Sequence, residues 1–149
     1  MKKQLVDKNN KIHFMTLYDC IQRFPNDYDL GKQIRTSYIY ETRPWGHFEV
    51  LAEGPNCKVK RLVVKPGKRI SYQYHKHRLE HWVIVQGSGN FILNAINKYV
   101  FTGDTMQINI GDYHRIHNIG AEDLIIIETQ LGKCDESDIV RIEDDYNRK

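Results

Sequence analysis

Gln73, His75 and His77 alternate along one short stretch, Q-Y-H-K-H. In an extended strand, residues two apart point to the same face. Three side chains with metal-binding lone pairs therefore converge on one side. Glu80 follows after a short turn and can close the same site. A second cluster, His114-Arg115 with His117-Asn118, lies about 40 residues later. Imidazole and carboxylate donors suit Zn, Mn, Fe, Co or Ni, and a divalent cation so held acts as a Lewis acid on substrate or water oxygens. The two clusters are read as one metal centre inside a β-barrel.

The elements that must position these residues are short strands. Residues 34–41 are β-branched and aromatic, and 57–65 form a strand ended by Pro66-Gly67. In that strand Lys58, Lys60 and Leu62 share one face while Val59, Arg61 and Val63 share the other. Strands 70–77 and 80–86 follow, closed by Gly87-Ser88-Gly89. Residues 90–93 and 99–102 read as a hairpin around Asn94-Ala95-Ile96-Asn97, and 105–110, 114–118 and 124–131 are further strands. The last, L-I-I-I-E-T-Q-L, is the most apolar, and the tail after it is acidic. A short helix is expected over 15–24, stopped by Pro25-Asn26-Asp27. Many evenly spaced strands with almost no helix indicate an all-β sandwich or barrel.

The 149 residues suffice for one domain with a proper core. With 40% hydrophobic and 28% charged residues, the balance is that of a globular chain rather than a disordered one. No apolar run approaches the roughly 18 residues that would span a bilayer. The basic start lacks a following apolar region, so a cytoplasmic protein without a signal peptide is expected. Cys20, Cys57 and Cys134 are odd in number and form no CxxC pair, which favours reduced thiols over a thiolate site. The net charge of +3, with acids and bases interspersed, does not call for nucleic-acid binding. A few cations in one pocket would instead suit a phosphorylated small molecule.

The spacing carries a resemblance. From Gly67, five residues lead to Gln73, one to His75, four to Glu80 and six to Gly87. From Gly103, five lead to Asn109; Gly111, His114 and Asn118 follow. This grid resembles the two motifs of the cupin superfamily, a double-stranded β-helix or jelly-roll barrel, with Gln73 in place of the first His and Asn109 in place of a usual Pro. The stretches R-P-W-G-x-F (from Arg43), K-V-K-R-L-x-V-x-P-G (from Lys58), S-x-Q-x-H-x-H-R-x-E-H-W (from Ser71), H-R-I-x-N (from His114) and the ending E-S-D-I-V-R-I-E-D-D-Y-N-R (from Glu136) look like type II phosphomannose isomerases. In many relatives this cupin is the C-terminal half of a bifunctional mannose-1-phosphate guanylyltransferase/mannose-6-phosphate isomerase. Two details depart from the pattern: Cys134 stands where an aromatic is common, and Asn147 where Gly is usual.

The resemblance implies an aldose–ketose isomerase interconverting mannose 6-phosphate and fructose 6-phosphate by proton transfer through an enediolate. It implies a divalent metal, zinc foremost, on Gln73, His75, Glu80 and His114. It also implies a single cupin domain over 41–149, with residues 1–40 as an N-terminal extension packed on the barrel. Nothing in 1–40 resembles the guanylyltransferase's nucleotide loop, so nucleotidyl transfer is not expected. His77, in phase with His75, is the leading catalytic base, with a metal-activated water as its competitor. Strand alternation sends Arg115 to the opposite face, yet the family's His-Arg pair places it at the cavity mouth, steadying the enediolate or the phosphate. Lys58, Lys60 and Arg78 are candidate phosphate ligands, and sheet edges that need cover suggest a homodimer. Two further functions stay open: a cupin epimerase or tautomerase on a related sugar or nucleotide sugar in surface-polysaccharide synthesis, and a non-catalytic sugar-binding cupin that partners a separate guanylyltransferase.

Overall fold

Alternating side chains need two faces to bury against, and the chain satisfies them with two antiparallel sheets. The computed structural model describes residues 40–148. Their strands are β1 Tyr40–Arg43, β2 Gly46–Gly54, β3 Cys57–Val64, β4 Tyr72–His75, β5 Arg78–Gln86, β6 Ser88–Leu93, β7 Ile96–Phe101, β8 Thr105–Ile108, β9 His114–Asn118, β10 Leu124–Gly132 and β11 Ile139–Glu143. A single 3-10 turn, Glu136–Asp138, precedes β11. One sheet has the order β1-β2-β3-β10-β5-β8 and the other β11-β4-β9-β6-β7. This is the all-β architecture expected from the sequence. The extension, including the helix expected over 15–24, lies outside the described residues, as does most of the strand expected over 34–41.

Strand β10 sits between β3 and β5 and sets the polarity of the interior. Leu124, Ile126, Glu128 and Gln130 point inward and are buried. The register puts Ile126 opposite Leu62 and Ile84, Glu128 opposite Lys60 and Trp82, and Gln130 opposite Glu80. The barrel is therefore apolar along one stretch of its length and polar along the next. The apolar part joins Leu62, Val64, Ile84, Phe91, Val100, Ile116, Leu124 and Ile126 into one cluster. Each such side chain contributes about 1.5–3 kcal/mol by leaving water. The polar part cannot earn that term, and its groups instead satisfy one another.

Turns fix where the strands begin. At the β6–β7 hairpin, Leu93 pairs with Ile96, leaving Asn94 (φ 48°) and Ala95 (φ 67°) as a two-residue turn. Positive φ at both positions matches the twist of a type I′ hairpin. The four-residue connection expected from the sequence is thus tightened by two. Gly46, between β1 and β2, has φ 146°, and a Cβ there would stand 1.9 Å from the Val63 carbonyl oxygen.

Two boundaries differ from expectation in ways that matter for the site. The strand expected over 70–77 ends at His75, so Lys76 and His77 form the turn into β5 and are exposed. The acidic tail supplies a strand, β11, that pairs with β4 and sets Arg141 opposite Gln73.

Candidate metal centre

The β4–β5 turn is short, so it brings two inward positions, His75 and Glu80, side by side. The neighbouring β9 opens with His114. His75 Nε2 lies 3.1 Å from Glu80 Oε1, and His114 Nε2 lies 3.5 Å from Glu80 Oε2. One donor atom from each residue falls within 4.8 Å of the others. All three side chains are essentially sealed from solvent. Gln73 lies directly opposite His114 in the β4–β9 pair, and its Oε1 accepts the Ser71 hydroxyl at 2.6 Å. An amide oxygen has two lone pairs, so one remains.

The surroundings prepare these groups as ligands. His114 Nδ1 is 3.0 Å from the Asp112 carbonyl oxygen, which assigns the proton to Nδ1. The lone pair is then on Nε2, which is buried and has no hydrogen-bond partner of its own. An outer hydrogen bond that fixes the tautomer in this way is the usual support of a metal-binding histidine. Burial lowers the pKa of His75 despite the pull of Glu80, which favours the neutral, ligating imidazole. Burial alone would raise Glu80, but its histidine neighbours, His114 and His75, outweigh it and hold its carboxyl well below the usual range. Three further donors orient that carboxylate: Arg78 Nε at 2.9 Å, Trp82 Nε1 at 3.1 Å and Gln130 Nε2 at 3.4 Å. A buried carboxylate and two imidazoles, each with an orphaned nitrogen, fit a divalent cation.

Beside this cluster lies a cavity of about 50 Å³, lined by Gln73, Arg78, Glu128, Gln130 and Lys60 among others. Two of its residues escaped the sequence reading. Gln130 Nε2 donates to Glu128 Oε2 at 2.9 Å while reaching Glu80, so one amide links the two carboxylates. Burial, then the negative charge of Glu80, pushes Glu128 up to about 8, against the opposing pull of Lys60 and Arg78. The available signal was parity. Glu128 and Gln130 share the inward phase of Leu124 and Ile126 in a strand otherwise apolar on that face.

Several expected roles meet a different geometry. His77 does not face the cavity, because strand alternation stops at His75 and the residue sits on the exposed turn. Arg115 follows plain alternation rather than reaching the mouth. It is buried with Nε on the Ile70 carbonyl at 3.1 Å, and Nη1 and Nη2 on Glu143 at 3.0 and 3.1 Å. Lys58 is turned to the Cys134 carbonyl at 2.9 Å and to Glu53 at 3.1 Å. Lys60 lines the cavity but is paired with Glu136 and stands 4.4 Å over the Phe48 ring. Arg78 lines it too, with Nη1 on the Asp135 carbonyl at 2.8 Å and Nε on Glu80.

Comparison with known proteins places this geometry. Residues 31–144 match the family described as mannose-6-phosphate isomerase, C-terminal. The chain belongs to that family. It is 39% identical over 107 residues to the mannose-1-phosphate guanylyltransferase ManC of Salmonella typhimurium, covering 71% of this chain and 22% of the relative. It is 40% identical over 125 residues to a mannose-1-phosphate guanylyltransferase of Escherichia coli, covering 80% and 26%. The xanthan biosynthesis protein XanB of Xanthomonas campestris is 39% identical, with 79% and 26% covered. The chain thus spans about a quarter of the length of these relatives. Among solved structures, the capsular polysaccharide assembling protein CapF of Staphylococcus aureus superposes with a TM-score of 0.65 at 20% identity, over 78% of this chain and 40% of CapF. The cupin domain of Schizosaccharomyces pombe Cnp3 superposes with a TM-score of 0.56 at 18% identity, over 64% and 69%. These likenesses establish the cupin fold of this family member.

Proposed function

We propose that this cupin is a metal-dependent aldose–ketose isomerase that interconverts mannose 6-phosphate and fructose 6-phosphate. The observation that carries the reading is the sealed His75–Glu80–His114 cluster, beside a cavity lined by Gln73 and by a second carboxyl group, Glu128. Bound by these three residues and Gln73, a divalent cation would supply Lewis-acid polarisation of the sugar's C1 and C2 oxygens. Zinc is the first metal to test, since mixed imidazole and carboxylate donors suit it.

The chain's own groups account for the proton. Glu128, as carboxylate, takes the C2 proton of the aldose; the C2–H electrons become the C1–C2 double bond of the enediolate. The same carboxyl returns that proton to C1, while the hydroxyl proton leaves O2 and reaches O1. Atoms and charge balance without a redox partner. A carboxyl raised by burial toward neutrality has the proton affinity such a shuttle needs. Gln130 keeps Glu128 and Glu80 in fixed relation, and Arg78 donates to the same Glu80 oxygen, Oε1. The cavity as it stands takes a few water-sized groups, so a hexose phosphate enters only if side chains at its mouth swing outward.

The test is a coupled assay on chelated protein resupplied with Zn, Mn or Co. Metal-dependent formation of fructose 6-phosphate from mannose 6-phosphate supports the reading. No interconversion of any hexose phosphate with metal present would sink it. Solvent deuterium entering C2 without ketose formation would point instead to an epimerase or tautomerase.

A further inference from the structure

Three arginines that the sequence reading gave no role converge on the same cavity: Arg43 from β1, Arg141 from β11 and Arg148 from the C-terminal tail. They come from both ends of the described chain, so only the fold brings them together. Burial, then the charge of Arg148 and more weakly that of Arg43, depress the pKa of Arg141 against the opposing pull of Asp144 and Glu136. Like charges are thus gathered where they repel one another. Among the ionisable residues lining the cavity, five are cations (Arg43, Lys60, Arg78, Arg141 and Arg148) and two are carboxylates (Glu128 and Glu136). Lys60 is taken by Glu136, and Arg78 by Glu80 and the Asp135 carbonyl.

Two of the three arginines are also braced. Arg148 is pinned by Asp144 through Nη2 at 2.5 Å and Nε at 3.1 Å, and its guanidinium lies 5.2 Å over the Tyr146 ring. Arg43 lies 5.1 Å over Phe48 and pairs with Glu41. Stacking holds a planar guanidinium in place while leaving its edge for a ligand.

We infer that Arg43, Arg141 and Arg148 form the phosphate subsite of this cavity, binding the terminal phosphomonoester of an open-chain sugar whose carbonyl end lies at the metal cluster. Strand order sets the neighbourhood: Arg141 lies one inter-strand step, about 4.8 Å, from Gln73 on the strand that also carries His75, and two steps from His114. The inference rests on the sugar-phosphate reading above and replaces Lys58, Lys60 and Arg78 as the expected phosphate ligands.

The experiment is a calorimetric titration of inorganic phosphate into the chelated full chain, so that no metal serves as acceptor. Arg141→Gln and Arg148→Gln should each weaken phosphate at least about tenfold, the scale of a lost charge-assisted hydrogen bond. Zinc content on reloading should stay at the wild-type level. Should Arg148→Gln fail to fold once Asp144 loses its partner, Arg43→Gln, on a partly exposed side chain, gives the same readout. Unchanged phosphate affinity in the folded variants, or an equal loss in Lys58→Gln, overturns the inference. Equal binding of mannose and mannose 6-phosphate by the wild type also overturns it, and leaves the isomerase reading standing. Tight, arginine-dependent binding of hexose phosphates without turnover supports the subsite and removes the isomerase instead.

Discussion

At the residue scale, two carboxyl groups about one amide apart are held in opposite protonation tendencies. Glu80 is kept ionised by the histidines, and Glu128 is pushed up by burial and by Glu80 itself. Pairs whose environments drive them apart mark acid–base assignments. Glu128→Gln keeps the volume and the hydrogen bond to Gln130 but cannot carry a proton. It should lower kcat by about 10²–10⁴-fold while metal content stays unchanged, as measured by turnover and metal analysis on the same sample. The stability effect has a definite sign. The folded pKa of Glu128, about 8, lies above the ordinary carboxyl value of 4.5, so the folded state holds its proton more tightly. Wild-type stability then falls as pH rises from about 4.5 to 8, because ionising the buried group costs free energy that the unfolded chain avoids. In chelated protein, Glu128→Gln should melt higher than wild type at pH 8 and show little difference near pH 4.5. A wild type that gains stability across that interval relative to the variant would contradict the assignment. His114→Ala should bind no metal and lose turnover yet keep its far-UV spectrum.

At the element scale, the turns are where sequence and backbone agree or compete. Ala95 occupies a left-handed position at φ 67°, which disfavours any Cβ-bearing residue. Ala95→Gly should therefore stabilise the protein by about 0.5–1 kcal/mol, read from urea midpoints at constant slope. Gly46→Ala should do the reverse, by more than about 3 kcal/mol, since its Cβ would press on the Val63 carbonyl. Strand β9 was legible to the residue, His114–Asn118, because Gly111-Asp112 punctuates its start. The spacing of His75, Glu80 and His114 was legible for the same reason: tight turns transmit parity across short gaps. Parity failed at His77, where the strand ended two residues early. For Arg115 simple parity was the sounder guide. Glu128 and Gln130 were hidden by the apolar run before them, although their phase was readable. The gathering of Arg43, Arg141 and Arg148 was beyond sequence reading, because it depends on β11 returning to β4 and on the end of β1 reaching the same cavity.

At the scale of the whole molecule, the interior is one barrel with two jobs. The apolar length of β3, β5 and β10 carries the stability, and the polar length of the same strands gathers the candidate site. The polar half is stable only if its charges answer one another. Glu80 answers to Arg78, His75 and His114, and Glu136 answers to Lys60. Glu128 faces Lys60 across β3–β10, but Lys60 is committed to Glu136. A cation on the histidines would relieve this arrangement, since it offsets the Glu80 charge that Glu128 opposes. Metal binding should then stabilise the fold beyond simple ligand contact. Mass action alone gives about 2.7 kcal/mol at a free metal concentration one hundred times Kd, or roughly 5–10 °C for a chain of this size. Chelation should lower Tm by at least that much in wild type and leave His114→Ala unmoved. The difference between loaded and chelated protein should be smaller in Glu128→Gln, where no second carboxylate remains to be relieved. Equal metal shifts in wild type and Glu128→Gln would mean that the two carboxyl groups do not feel each other. The linked acid–base pair would then lose its physical basis.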